Sequence, residues 1–174
     1  MYRSLLVPLD GSDFGEHALP LALSLARRLG APLRVVHVHV SPWGAYGELG
    51  GQYDETTTRI LREHDRSYLD AVIQRLAAAA DISLSSDLLD GPVADAIGWH
   101  ATATESDLLV MTTHGRGPLA RFWLGSVADA LVRQASIPIL LVQPKEAPPD
   151  LAQEPVVRRV LIPLDGSELV PQPG

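Results

Sequence analysis

Apolar residues along the chain gather in short runs whose lengths are typical of buried strands. The runs lie at residues 4–9, 33–40, 82–89, 107–113 and 137–142. In these runs hydrophobic side chains follow one another instead of alternating with polar ones, and that pattern is typical of strands covered on both faces. The pattern therefore predicts five strands of a parallel sheet.

The segments between the runs have the period of amphipathic helices. Helices are predicted at residues 12–29, 56–80, 92–104 and 126–135. Ser12 is the predicted N-cap of the first helix, and Gly30 provides its C-terminal stop. Pro20 lies inside this helix, so we expect it either to kink the helix or to mark its true start.

Strands that alternate with helices predict an α/β fold with a doubly wound sheet and helices on both faces. The strand orders 2-1-3-4-5 and 3-2-1-4-5 both suit five such units. We favour 3-2-1-4-5 because it places Asp10, at the end of the first strand, beside Thr112–Gly115, at the end of the fourth. Ligands bind such sheets at this switch point.

The opening of the chain recurs near its end. Residues 8–12, PLDGS, return as residues 163–167, each time after an apolar run. A repeat at this distance has the length of a domain. We therefore expect one domain over residues 1–144, a proline-rich linker over 145–155, and over 156–174 the truncated first strand of a second repeat.

Composition excludes several classes of function. The formal net charge is −7, and the chain has a single lysine, Lys145. An acidic chain without a basic stripe argues against nucleic-acid binding. There are no cysteines, which excludes disulfides and thiol catalysis. No apolar run reaches the length of a membrane span and no leader pattern opens the chain, so we expect a soluble cytoplasmic protein.

A candidate anion site lies at the start of the last helix. Ser126 is predicted to cap that helix, with Asp129 at the capping-box position. The exposed N–H groups of a helix start, with the glycine-bearing loop 114–124 before it, could cradle phosphates. Arg116 and Arg121 could add charge. A plain loop–helix junction with a good cap is the alternative.

The other polar residues leave two interpretations open. Asp10 either faces a ligand or closes an Asx turn into the helix. His114 either donates to a phosphate or caps a strand end.

His37 and His39 share one strand face, with His37 predicted as a hydrogen-bonded core group and a metal pair as the minor alternative. The remaining histidines are expected on helix surfaces, and they are His17, His64 and His100. Trp43 and Trp123 are expected to pack in loops.

Three stretches together resemble a universal stress protein domain. They are LLVPLDGS near the start, DGPVADAI in the middle, and MTTHGRGPLARFWLGSVADALVRQASIPILLV towards the end, and the resemblance covers about residues 1–144. It implies a Rossmann-like fold of the adenine-nucleotide hydrolase-like group with strand order 3-2-1-4-5. The partial repeat implies that the parent is a tandem protein.

Members of this family that bind ATP carry Gly-x-x-Gly, nine residues, and then Gly-Ser or Gly-Thr. Gly115 matches the second glycine, and Gly125-Ser126 follows after nine residues, but the first glycine position holds Thr112. A threonine there adds a Cβ to the site. The nucleotide-binding residues implied by the resemblance, together with the neighbours indicated above, are Pro8, Leu9, Asp10, Val38, Thr112, Thr113, His114, Gly115, Arg116, Gly125, Ser126 and Val127.

These observations lead to three functional hypotheses. The first is a regulatory stress-response module that binds ATP, with Asp10 in a position to hold Mg²⁺ indirectly against the phosphates. The second is an interaction module that binds no nucleotide, which Thr112 favours. The third is a slow ATPase, for which no P-loop or catalytic residue is found. The apolar strand 137–142 predicts pairing into a homodimer, as the family resemblance also implies.

Overall fold

The computed structural model describes residues 2–40, 55–113, 124–152, 154–155, 159 and 161. In chain order its elements are β1 (Leu5–Leu9), α1 (Asp13–Glu16), α2 (Leu19–Leu29), β2 (Leu33–His39), α3 (Glu55–Ala79), β3 (Leu84–Asp90), α4 (Val93–Ala103), β4 (Leu108–Thr112), α5 (Ser126–Gln134) and β5 (Ile139–Val142). The predicted elements are present, with ends that differ by one or two residues.

The five strands form one parallel sheet in the order β3-β2-β1-β4-β5. The predicted order 3-2-1-4-5 is therefore confirmed. The chain runs outward from β1 to β3, and then crosses to β4 on the other side of β1. Leu5 of β1 pairs in register with Leu33 of β2 and with Leu108 of β4. The switch point of the sheet thus lies between β1 and β4, where their carboxyl ends separate.

Alternate residues of the strands supply two separate cores. Leu5 and Val7 face the layer of α2 and α3, whereas Leu6 faces the layer of α4 and α5. All three side chains are fully buried. The strand β3 departs from the predicted apolar pattern, because Ser85, Ser86 and Asp87 occupy its centre and the strand is only partly buried. Its place at the edge of the sheet explains this polarity.

The first predicted helix is divided in two. Ser12 caps α1 as expected, since its Oγ accepts a hydrogen bond from the backbone N–H of Gly15 at 3.1 Å. Pro20 stands in the first turn of α2, so it marks a true helix start and does not kink a longer helix. Gly30 ends α2 in the left-handed conformation with φ 63°.

The prediction that His100 lies on the surface is wrong. Its side chain is 16% exposed, and its Nε2 lies 3.3 Å from Oδ2 of Asp87 on β3. Burial lowers the pKa of His100 below its usual value, although the nearby carboxylate opposes that effect. Asp87 also accepts a hydrogen bond from Arg34 at 2.7 Å, so this cluster joins α4 to the polar edge of the sheet.

After β5 the chain returns to the α2 side of the domain. Leu151 packs against the core formed by α2, α3 and the sheet. The described part of the predicted linker is therefore in contact with the domain. Within the residues that the structure describes, no helix has both the length and the apolar character needed to cross a membrane.

Two glycines should respond in opposite ways to substitution by alanine. Gly30→Ala should lower the free energy of unfolding by about 1 kcal/mol, because an L residue is strained at a positive φ. Gly98→Ala should raise it by up to about 1 kcal/mol, because Gly98 lies inside α4 with open space where a Cβ would stand. Urea unfolding of both variants measures these changes, and a shift of the same sign in both would contradict the assignment.

Candidate functional site

A cleft of about 540 Å³ opens at the carboxyl ends of β1, β2 and β4. Its volume is in the range of small-molecule sites. The structure brings together there the described residues of the predicted site, which are Pro8, Leu9, Asp10, Val38, Thr112, Thr113, Gly125, Ser126 and Val127. His114, Gly115 and Arg116 lie outside the described residues, as do Arg121, Trp43 and Trp123.

Asp10 closes a turn between β1 and α1. Its Oδ1 accepts hydrogen bonds from the backbone N–H of Ser12 at 3.0 Å and from the Ser12 hydroxyl at 2.5 Å. This is the Asx turn that the sequence allowed. The same side chain is exposed and lines the cleft, so the turn holds a carboxylate at the rim.

Gly15 makes room for that carboxylate. A Cβ placed on Gly15 would lie 2.5 Å from Oδ1 of Asp10. Because that distance is shorter than any normal contact, a larger residue at position 15 would force the carboxylate to move. The absence of a side chain in α1 therefore helps to set the position of Asp10.

The opposite wall of the cleft is built from the end of β4 and the start of α5. The backbone N–H of Thr113 donates to the carbonyl of Val142 at 2.9 Å, which extends the pairing with β5 by one residue. The backbone N–H of Gly125 donates to the carbonyl of Thr113 at 2.7 Å. This second bond fixes the start of α5 directly beside the end of β4.

The predicted capping box at this helix is wrong. Gly125 occupies the cap position with φ −58° and ψ 152°, Ser126 is the first helical residue, and no side chain caps the helix. Asp129 instead binds Arg133, one turn further along α5, at 3.0 and 3.1 Å. Among the residues that the structure describes, no side chain therefore caps the first N–H groups of α5, which lie at the cleft end of the helix.

Thr112 leaves the cleft open. Its side chain is buried, with 7% of the residue exposed, and it belongs to the cleft wall as the last residue of β4. The described walls still enclose about 540 Å³. The Cβ that departs from the family pattern is thus accommodated within the sheet.

A polar wall that sequence reasoning missed lines the β2 side of the cleft. Asp65 of α3 accepts a hydrogen bond from Nδ1 of His39 at 2.6 Å, and its other oxygen lies 3.6 Å from Nε2 of His37. Nδ1 of His37 donates to the carbonyl of Leu9 at 2.8 Å, so the prediction that His37 is hydrogen-bonded beneath a helix is confirmed. Asp65 lies one helical turn after Leu61, which also lines the cleft, and that spacing was its only signal in the sequence.

This wall does not form a metal centre. In the described ranges of the chain, no group of three or more histidine, aspartate or glutamate side chains is placed to hold a metal ion. The two imidazoles and the carboxylate instead connect β2 to α3 with hydrogen bonds. Nε2 of His39 is buried and makes no hydrogen bond to any residue that the structure describes.

A second polar cluster supports the same wall from below. Tyr68 packs edge-on against His37 with ring centroids 5.8 Å apart. Burial raises the pKa of the Tyr68 hydroxyl, and the Glu16 carboxylate raises it further. Glu16 is itself buried and accepts a hydrogen bond from Arg75 at 2.8 Å. The cluster therefore binds α1 to α3 beneath the cleft.

A charge pair connects α3 with the end of β3. Arg62 donates to both carboxylate oxygens of Asp90, at 2.5 and 2.8 Å. The hydrogen bond and the charge of Arg62 lower the pKa of Asp90, although burial opposes the shift. Among the described residues no arginine or lysine lines the cleft, so the positive end of the α5 dipole is the feature of its wall that attracts an anion.

Comparison with known sequences identifies relatives over the same part of the chain. The universal stress protein family matches residues 1–143. A universal stress protein of Methanocaldococcus jannaschii is 30% identical over 144 residues, which cover 82% of this chain and 83% of that protein. A universal stress protein of Thermus aquaticus is 32% identical over 143 residues, covering 82% of this chain and 100% of its own length.

Solved structures share the fold. The universal stress protein UspA from Lactobacillus plantarum superposes with a TM-score of 0.67 at 22% identity, covering 82% of this chain and 98% of its own. Two others were solved as complexes with a nucleotide. A universal stress protein in complex with cAMP has a TM-score of 0.60 and 23% identity, covering 83% of this chain and 98% of its own. A universal stress protein from Archaeoglobus fulgidus in complex with dAMP has a TM-score of 0.56 and 23% identity, covering 82% of this chain and 98% of its own. On the family match and the sequence relatives, this chain belongs to the universal stress protein family.

Proposed function

We propose that the cleft binds an adenine nucleotide, with ATP as the preferred form, and that the protein acts as a nucleotide-dependent regulatory module of the stress response. The observation that carries the proposal is the convergence of Asp10, Val38 and Ser126 on one open cleft. These residues come from three distant parts of the chain, and the switch point of the sheet brings them together.

The cleft offers different surroundings at its two ends. On the α4 face of the sheet the lining is apolar and includes Val38, Val93 and Ile97, which suits a purine ring. Towards α5 the lining is the uncapped helix start at Gly125 and Ser126, which suits phosphate. Asp10 stands at the rim near β1, in keeping with a contact to the ribose or an indirect contact to Mg²⁺.

Relatives support the class of ligand. Two universal stress proteins were solved in complex with cAMP and with dAMP, and both ligands contain adenine. In this chain His114, Gly115 and Arg116 are proposed to complete the phosphate end, as the family motif implies. The module that binds no nucleotide is the second candidate, and the observation that favours it is Thr112 at the first glycine position.

Analysis of the purified protein separates these two candidates. Protein prepared without added nucleotide is denatured, and the extract is analysed by mass spectrometry. Calorimetric titration with Mg-ATP is then carried out on the emptied protein. An adenine nucleotide in the extract, or saturable binding of Mg-ATP, supports the proposal. An empty extract together with no heat of binding would leave the interaction module as the function.

A charge placed at the start of α5 should separate the phosphate end from the adenosine end. Ser126→Asp should weaken ATP binding about tenfold, because a carboxylate there repels phosphate, while adenosine affinity stays within about twofold. The helix itself tolerates the change, since Ser126 is exposed and acidic residues suit a first turn. Calorimetry with both ligands measures the effect.

Ser126→Asn is the matched control for this test. It has the same size as the aspartate variant without the charge, so its affinities for ATP and adenosine should remain close to those of the unmodified protein. Equal losses for ATP and adenosine in Ser126→Asp, or an ATP affinity that does not change, would contradict the placement of phosphate at α5.

The edge of the sheet supports a proposed homodimer. Among the described strands, β5 pairs with β4 alone, so its other backbone edge is available to a second chain. The strand consists of four apolar residues, Ile139–Val142, and Leu141 is 36% exposed. Unprotected apolar edges of this kind pair readily with one another. We propose that two copies associate through this strand.

A charge on this edge should dissociate the dimer. Leu141→Lys should convert a dimer into a monomer, because two lysines would have to be buried at the junction of two edge strands. Ile60→Lys on α3 is the matched control, since Ile60 is also an exposed apolar residue, at 56%, and lies far from β5. Light scattering at tens of micromolar measures the mass, and a monomeric unmodified protein would refute the proposed dimer.

A further inference from the structure

The residues that follow β5 form a strap across α1 and α2. The strap is defined here as residues 144–154, of which all but residue 153 are described. The carbonyl of Ala147 lies 2.7 Å from Nε2 of His17, and Glu154 accepts hydrogen bonds from Arg28 at 3.0 Å and from Ser24 at 3.4 Å. Between these two polar contacts Leu151 packs against the core. The strap is therefore attached at three points along its length.

Both ring nitrogens of His17 face hydrogen-bond acceptors, so both must carry a hydrogen for both bonds to form. Nδ1 of His17 lies 2.9 Å from the carbonyl of Asp13, and Nε2 lies 2.7 Å from the carbonyl of Ala147. Both partners are acceptors only. A neutral imidazole carries one N–H and presents a lone pair at its other nitrogen, whereas the imidazolium carries an N–H at both. Only the protonated ring can donate both hydrogen bonds.

The charged groups around His17 supply no fixed ion pair. On α1 the acidic neighbours are Asp13 and Glu16, and Glu16 is bound to Arg75 of α3. On the strap the neighbours of Ala147 in sequence include Lys145 and Glu146. In the part of the chain that the structure describes, no carboxylate lies within 4.0 Å of a His17 ring nitrogen.

The aromatic neighbour and the second anchor complete these surroundings. The Phe14 ring stacks on the imidazole, with centroids 6.4 Å apart. On α2, Arg28 is engaged by Glu154 at the other end of the strap. The two carbonyl groups are thus the direct partners of the ring.

We propose that His17 is a pH-sensitive clamp that holds the strap on the α1–α2 face. With the ring protonated, both carbonyl groups receive a hydrogen bond and the strap is docked. When the ring loses its proton at higher pH, it has one donor fewer, and a lone pair meets a carbonyl oxygen. The bond to Asp13 lies within one helical turn, so the bond to Ala147 is the one that breaks.

The consequence is a segment whose attachment depends on pH. In the sequence the strap lies between the domain and the PLDGS repeat at residues 163–167, so the pH-dependent contact is made by the connection that precedes the repeat. His17, Ser24 and Arg28 are absent from the lining of the nucleotide cleft. The clamp therefore stands independently of the proposed nucleotide binding.

The single lysine of the chain provides a specific test. A protease that cleaves only after lysine can cut this protein at Lys145 alone, and the cut requires the neighbouring strap to leave its site. Cleavage rates are measured at about pH 6 and about pH 8, and each is divided by the rate for a free peptide of residues 140–152 at the same pH. We expect the ratio to be on the order of fivefold higher at the higher pH, from the loss of one hydrogen bond to a charged donor.

Two variants show whether His17 is the cause. His17→Gln keeps an N–H donor without a titrating ring, so its cleavage ratio should be the same at both pH values. Glu154→Gln weakens the other anchor and should raise cleavage at both pH values while keeping the pH-dependent increase. Hydrogen exchange of the amides at residues 146–152 in the unmodified protein, corrected for intrinsic rates, should show the same loss of protection at the higher pH.

The proposal is overturned by either of two results. The first is an equal cleavage ratio at both pH values in the unmodified protein, together with unchanged amide protection. The second is a His17→Gln variant, folded by circular dichroism, that keeps the full pH dependence of the unmodified protein.

Discussion

The structure depends on the position of β1 in the middle of a parallel sheet. Because β2 and β4 flank β1 on opposite sides, the connections after β1 and β4 pass over opposite faces, and a space remains between them at the carboxyl edge. The fully buried side chains Leu5, Leu6 and Val7 hold β1 in that position by facing two different cores. The cleft is thus a consequence of strand order, and the residues at its rim are those that happen to end the strands.

Two kinds of bonding then shape the cleft. On the α5 side main-chain bonds dominate, and the bond from Gly125 to the carbonyl of Thr113 brings an uncapped helix start to the rim. On the β2 side the bonds run between side chains, through His37, His39 and Asp65. A helix start can accept an anion with little reorganisation, because its N–H groups already point outward. The side-chain wall is satisfied mostly by its own partners and serves to hold α3 on the sheet.

The strap illustrates how a segment of loop-like composition can acquire a defined place. Its prolines and lack of hydrophobic period predict a linker, and locally that prediction is reasonable. The leucine Leu151 and the polar contacts at Ala147 and Glu154 attach it to helices more than a hundred residues earlier in the chain. Because these contacts are few, the free energy of a single hydrogen bond is a large part of the free energy that holds the segment on the domain.

The sequence by itself determined the alternation of strands and helices, the end of α2 at Gly30 and the family, and it limited Pro20 to a kink or the start of a helix. These features follow from local rules, since apolar runs, proline geometry and glycine at positive φ act within a few residues. It also indicated the strand order, because that order alone brings Asp10 and Thr112 together. Only the tertiary structure decided the pairing of Asp65 with two histidines, the burial of His100, the cap at Gly125 and the contact of His17 with the strap. Those arrangements depend on how each helix is rotated and set on the sheet, and the hydrophobic pattern of a helix specifies its buried face but not the partner of each polar side chain.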